Sequence, residues 1–97
     1  MTSLERLEKW YSSHCDGDWE HQCGVRINTL DNPGWRMQIN LRGTKAETEI
    51  FNRMKLDRTK HDWLNCWTEN QWFNAACGPS NLSEVIGIFC EWFDKLA

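Results

Sequence analysis

The chain has 97 residues, 40% of them hydrophobic and 26% charged, the balance of one ordinary globular domain spanning residues 1–97. A formal charge of −3, with no run of Lys or Arg longer than two, argues against a phosphate-binding surface and so against nucleic acid as partner. No apolar run is long enough for a bilayer and Met1 to Trp10 holds no secretory core, so neither membrane nor export is expected, and the five cysteines are expected as reduced thiols in the cytoplasm.

A helix opens the chain. Thr2 and Glu5, three apart, form a capping-box pattern, and Leu4, Leu7, Trp10, Tyr11 and His14 recur at helical spacing before Gly17. Residues 14–23 follow as the densest polar segment: His14, Cys15, Asp16, Gly17, Asp18, Trp19, Glu20, His21, Gln22 and Cys23. Two His and two Cys invite a zinc reading, but His14 and Cys15 diverge from adjacent helix positions, and the spacing fits no common structural-zinc pattern. No metal and no other cofactor is expected; the plain reading is a polar helix-to-strand loop with Cys23 facing the core. Asp16, Asp18, Glu20 and His21 could supply an acid or base, yet no paired nucleophile, oxyanion hole or phosphate-cradling glycine loop accompanies them. Cys23 to Arg26 comes nearest to the reactive loop of a small sulfurtransferase, but it lies in an alternating strand and no βαβ order surrounds it. The chain is read as a binding protein and not an enzyme.

Two strands come next. Cys23, Val25, Ile27 and Thr29 share one parity, and Trp35, Met37, Ile39 and Leu41 share another. For both apolar sets to lie on one face, Thr29 must oppose Trp35 and Ile27 must oppose Met37, which requires an odd connection. Pro33-Gly34 suits the centre of a type II turn. A third strand is placed near residues 49–58 with Ile50, Met54 and Leu56 on one face and Phe51 on the other. A second hairpin, residues 62–68 and 71–77 around Glu69-Asn70, sets Trp67 opposite Trp72. Leu64, Cys66, Phe73 and Ala75 make one of its faces; Trp63, Trp67 and Trp72 lie on the other. Gly78-Pro79 ends the sheet. Asn81, three before Glu84, has the spacing of a helix cap, and Leu82, Val85, Ile86, Phe89, Phe93 and Leu96 form the stripe of a closing helix, with Gly87 kept for close packing. The order α-β-β-β-β-β-α predicts an α+β domain: an antiparallel sheet of about five strands with an N-terminal and a C-terminal helix.

The seven tryptophans are the unusual feature. Core use is the default for any one of them, and Trp is also a preferred interface anchor. If the helices cover the apolar face of the sheet, the face of Trp63, Trp67 and Trp72 is either exposed as a binding surface or closed by loops; Trp67 and Trp72 could also simply brace their hairpin.

Four segments carry a resemblance: Trp10-Tyr11 with Cys15; Gly17-Asp18-Trp19-Glu20-His21; Thr29-Leu30-Asp31-Asn32-Pro33-Gly34-Trp35; and Gly78-Pro79 with Asn81-Leu82 and the helix they open. In this order they resemble the immunity protein 53 family of bacterial polymorphic toxin systems, with residues 45–63 the least family-like part. The resemblance implies a cytoplasmic protein that binds and neutralises the toxin encoded beside it, a nuclease being one such toxin class, and it transfers no catalytic residue. Within it, Asp16, Asp18, Trp19, Glu20 and His21 are the first candidates for partner contact, followed by Trp35 and by Trp63, Trp67 and Trp72. An acidic chain is expected to steer toward a basic toxin domain. The alternatives are a metal-binding or house-keeping interaction module and, further off, a small enzyme.

Overall fold

A computed structural model describes residues 1–96. Helix α1 (Ser3–His14) starts on the capping box: the Thr2 backbone N–H donates to Glu5 Oε1 at 2.9 Å, and the Glu5 N–H donates to Thr2 Oγ1 at 3.1 Å. A single turn, α2 (Trp19–Gln22), stands inside the segment expected to be loop. The strands are β1 (Val25–Leu30), β2 (Gly34–Asn40), β3 (Met54–Thr59), β4 (Asp62–Glu69) and β5 (Trp72–Cys77), and α3 (Leu82–Asp94) closes the chain. All pairings are antiparallel, in the order β1-β2-β5-β4-β3. The two hairpins thus join edge to edge through β2 and β5, and β3 takes the far side of β4. The expected architecture, an antiparallel α+β domain with a helix at each end, is the observed one.

The first hairpin has the required register, with Thr29 opposite Trp35, Ile27 opposite Met37 and a three-residue connection between Leu30 and Gly34. The type II turn is not formed. Gly34 belongs to β2 and is absent from the positive-φ glycines. What Gly34 supplies is room, because a Cβ there would collide with the Cys77 carbonyl oxygen of the neighbouring strand. The second hairpin departs from expectation by one position. Its connection is Asn70-Gln71, both at positive φ (52° and 68°), so Glu69 opposes Trp72 and Trp67 opposes Asn74. Moving a two-residue turn by one residue shifts the register by two and leaves every side chain on its original face. Trp67 and Trp72 are therefore diagonal neighbours, not a direct cross-strand pair.

Strand β3 begins five residues later than the sequence suggested. Residues 49–53 lie outside the ladder, Ile50 is 78% exposed, and Phe51 crosses to the helix side, where its ring meets Phe73 at 5.2 Å and Trp92 at 5.6 Å. The gain from burying an aromatic ring outweighs the extended pattern here.

One core lies between the sheet and the helices. Met37, Ile39, Leu64, Cys66, Phe73 and Ala75 meet Leu7, Trp10, Val85, Ile86, Phe89 and Phe93. Trp10 packs edge-on to Phe89 at 5.1 Å and Phe93 at 5.5 Å, which joins α1 to α3. The helices approach closely at Gly87, where a Cβ would stand 3.2 Å from Ser3 Oγ. The cap expected at Asn81 is replaced by a wider staple. Its carboxamide nitrogen donates to Asp62 Oδ1 (2.9 Å) and Glu84 Oε1 (3.1 Å), and its oxygen accepts from the Trp63 N–H at 3.3 Å. Arg58 completes the staple by donating to Glu84 and Asp62, which ties the β3–β4 turn to the start of α3. Among the described residues, no helix is long and apolar enough to cross a membrane.

Candidate functional site

The segment from Asp16 to His21 divides into groups spent on its own geometry and groups left to solvent. Asp16 Oδ1 accepts from the N–H groups of Asp18 and Trp19, both at 2.9 Å. Glu20 reaches back, Oε1 accepting from the Asp16 N–H at 2.9 Å and Oε2 from the Gly17 N–H at 2.8 Å. These donors hold both carboxyls below their ordinary range: for Asp16 the Trp19 N–H acts first and the Asp18 N–H next, and for Glu20 its own N–H precedes those of Asp16 and Gly17. Trp19 is half-buried. Its ring lies 5.8 Å from Trp10, 5.6 Å from His14 and 5.9 Å from Tyr11, and its indole N–H donates to the Arg42 carbonyl at 2.7 Å. Asp18 and His21 are exposed, and neither side chain makes a hydrogen bond among the described residues.

The metal-like residues are dispersed. His14 Nδ1 lies 2.8 Å from the Trp10 carbonyl, and Cys15 Sγ donates to the Tyr11 carbonyl at 3.3 Å. No group of three or more His, Cys, Asp or Glu is placed to hold a metal among the described residues. All five cysteines are free. Burial pushes the Cys66 thiol up to about 12 and Cys77 up to about 11, which keeps both protonated and unreactive.

The outer face of the sheet has a different chemistry. Helices α1 and α3 pack on the opposite side, so this face is left to the side chains of its own strands. The registers place them in rows. One row runs Asn28, Arg36, Ala76, Asn65, Lys55. The next runs Arg26, Gln38, Asn74, Trp67, with Arg53 beside it. Trp72 and Glu69 lie beyond the second row, Trp63 and Asp57 beyond the first. The three tryptophans are each partly buried. Arg26 lies over Trp72, its Cζ 5.3 Å from the ring centroid, and Arg53 lies over Trp67 at 4.7 Å. Gln38 Nε2 donates to Asn74 Oδ1 at 3.2 Å. Asn65 Oδ1, between Trp63 and Trp67 along β4, is buried without a partner.

The structure thus brings Trp63, Trp67 and Trp72 onto one face. It keeps Asp16, Asp18, Trp19, Glu20 and His21 together at the end of α1, and it sends Trp35 to the helix side, where its N–H donates to the Pro79 carbonyl at 3.0 Å. Sequence reasoning missed the arginines. Their signal was parity: Arg26 alternates with the apolar residues of β1 just as Trp72 alternates with those of β5.

The sequence model of a family described as immunity protein 53 matches residues 4–94. No match is found among curated proteins or among solved structures.

Proposed function

The chain belongs to the immunity protein 53 family, and on that premise we propose that it neutralises a cognate toxin domain by binding it one to one in the cytoplasm of the cell it protects. The observation that carries this reading is the family match along residues 4–94, nearly the whole chain. The architecture supports capture over catalysis. Asp16 and Glu20 are spent on backbone N–H groups, Asp18 and His21 make no side-chain hydrogen bond to a nucleophile among the described residues, and the thiols buried deepest are held protonated. A nuclease is the first toxin class to assay, since degraded nucleic acid gives a direct readout of neutralisation.

The test is co-expression with the product of the adjacent toxin gene. The expected result is a complex of one copy each on gel filtration, and growth of cells that the toxin alone kills. A folded chain that neither co-elutes with the toxin nor rescues growth would remove the proposal.

A further inference from the structure

We infer that the open face of the sheet is the toxin-contacting surface, and that it receives a carboxylate-rich patch of the partner protein. This rests on the immunity reading above and adds to it the surface and its chemistry.

Charge is the first ground. The face carries four cations, Arg26, Arg36, Arg53 and Lys55, against two carboxylates, Asp57 and Glu69. That is an excess of two positive charges in a chain whose total is −3, so the rest of the surface carries −5. Net charge alone would direct the protein to a basic partner; the distribution turns this face toward an acidic one.

The second ground is that the arginines are unspent. Arg6 on α1 and Arg58 at the β3–β4 turn each bond two carboxylates. Arg26, Arg36 and Arg53 have no carboxylate partner among the described residues, and the only ion pair of the face is Lys55 with Asp57 at 3.8 Å. Two of the three guanidiniums lie against indole rings, which limits the freedom they lose on forming a bidentate bond with an incoming carboxylate. Neither guanidinium donates a side-chain hydrogen bond among the described residues, so their N–H groups remain to meet a carboxylate.

Composition and size agree with a protein contact. Trp and Arg are the residues enriched at interface centres, and here amide side chains lie between them. Five strands about 4.8 Å apart and six residues at about 3.3 Å each make a face of roughly 24 by 20 Å. That flat footprint, roughly 480 Å², is a little over half of the about 800 Å² that each partner gives to a standard interface, and side-chain relief adds to it. A second copy of this chain is a poor occupant, because it would bring positive charge against positive charge.

The experiment measures affinity for the toxin domain of the adjacent gene by calorimetry. Arg36→Glu is the central variant: the side chain is exposed and makes no hydrogen bond or ion pair, so folding is preserved and a thermal melt verifies it. Lys9→Glu, on the exposed side of α1, makes the same change in net charge away from the face. Arg36→Glu is expected to weaken binding about tenfold or more, and Lys9→Glu less than about twofold. Trp67→Ala, scored only if its melt is cooperative, is expected to weaken binding about thirtyfold. A toxin domain that binds the parent and Arg36→Glu equally overturns the face and leaves the immunity reading intact. Failure of the parent itself to bind overturns that reading and this one with it. Binding of an oligothymidylate to the parent that Arg36→Glu abolishes, with toxin affinity unchanged, makes the face a nucleic-acid surface and overturns the acidic protein partner.

Discussion

Replacing Trp19 by Ala tests whether the Asp16–His21 segment is architecture. The indole is half-buried against Trp10, Tyr11 and His14, and its N–H donates to the Arg42 carbonyl at 2.7 Å. Truncating a fully buried Trp costs about 3–5 kcal/mol; half that contact corresponds to about 2 kcal/mol. Loss of the indole hydrogen bond adds about 1 kcal/mol. The sum, about 3 kcal/mol, is a fall in Tm of roughly 12–24 °C for a domain this small. Trp19→Phe keeps most of the ring contacts and loses the N–H, so about 1 kcal/mol and roughly 4–8 °C are expected. Differential scanning calorimetry of the two variants, with urea titration for the free energies, gives the comparison. If Trp19→Ala melts within about 2 °C of the parent while toxin affinity collapses, Trp19 is a contact residue and the structural reasoning fails.

Three further outcomes follow from particular groups. Gln71→Gly relieves a non-glycine residue held at φ 68° and should raise stability by about 0.5–1 kcal/mol in urea titration; no gain would mean the Asn70-Gln71 turn is not strained. Asp62 and Glu84 are held below their ordinary values of 3.8 and 4.5, chiefly by Arg58, so their contribution is full above those values and is lost as pH falls through the depressed ones. Arg58→Ala should therefore lower Tm at pH 7 and show a shallower decline below about pH 4.5; parallel Tm–pH curves would count against the staple. A thiol reagent added to the native protein should label exposed Cys15 first and leave Cys66 and Cys77 unlabelled until denaturant is added; rapid native labelling of either buried thiol would contradict their protection.

The sequence by itself determined whatever depends on local period. Thr2 and Glu5 specified the start of α1, and the parity of Cys23 to Leu41 fixed the first register, because a one-residue slip would have turned Met37 and Ile39 out of the core. The same period placed Trp63, Trp67 and Trp72 on one face even though their hairpin turns one residue later than its composition suggests. Partners distant along the chain were decided only by the tertiary structure. Phe51 left the extended pattern because Phe73 and Trp92 offered it a buried site. Gly34 proved to be a packing glycine because β5, some forty residues away, runs alongside it. In the Asp16–His21 segment, residue type made all the polar groups equal candidates, and only the fold of the backbone around Trp19 separated Asp16 and Glu20, spent on N–H groups, from Asp18 and His21. The pairing of Arg26 with Trp72 depends on β5 entering the sheet next to β2, and long-range strand order leaves no trace in local alternation.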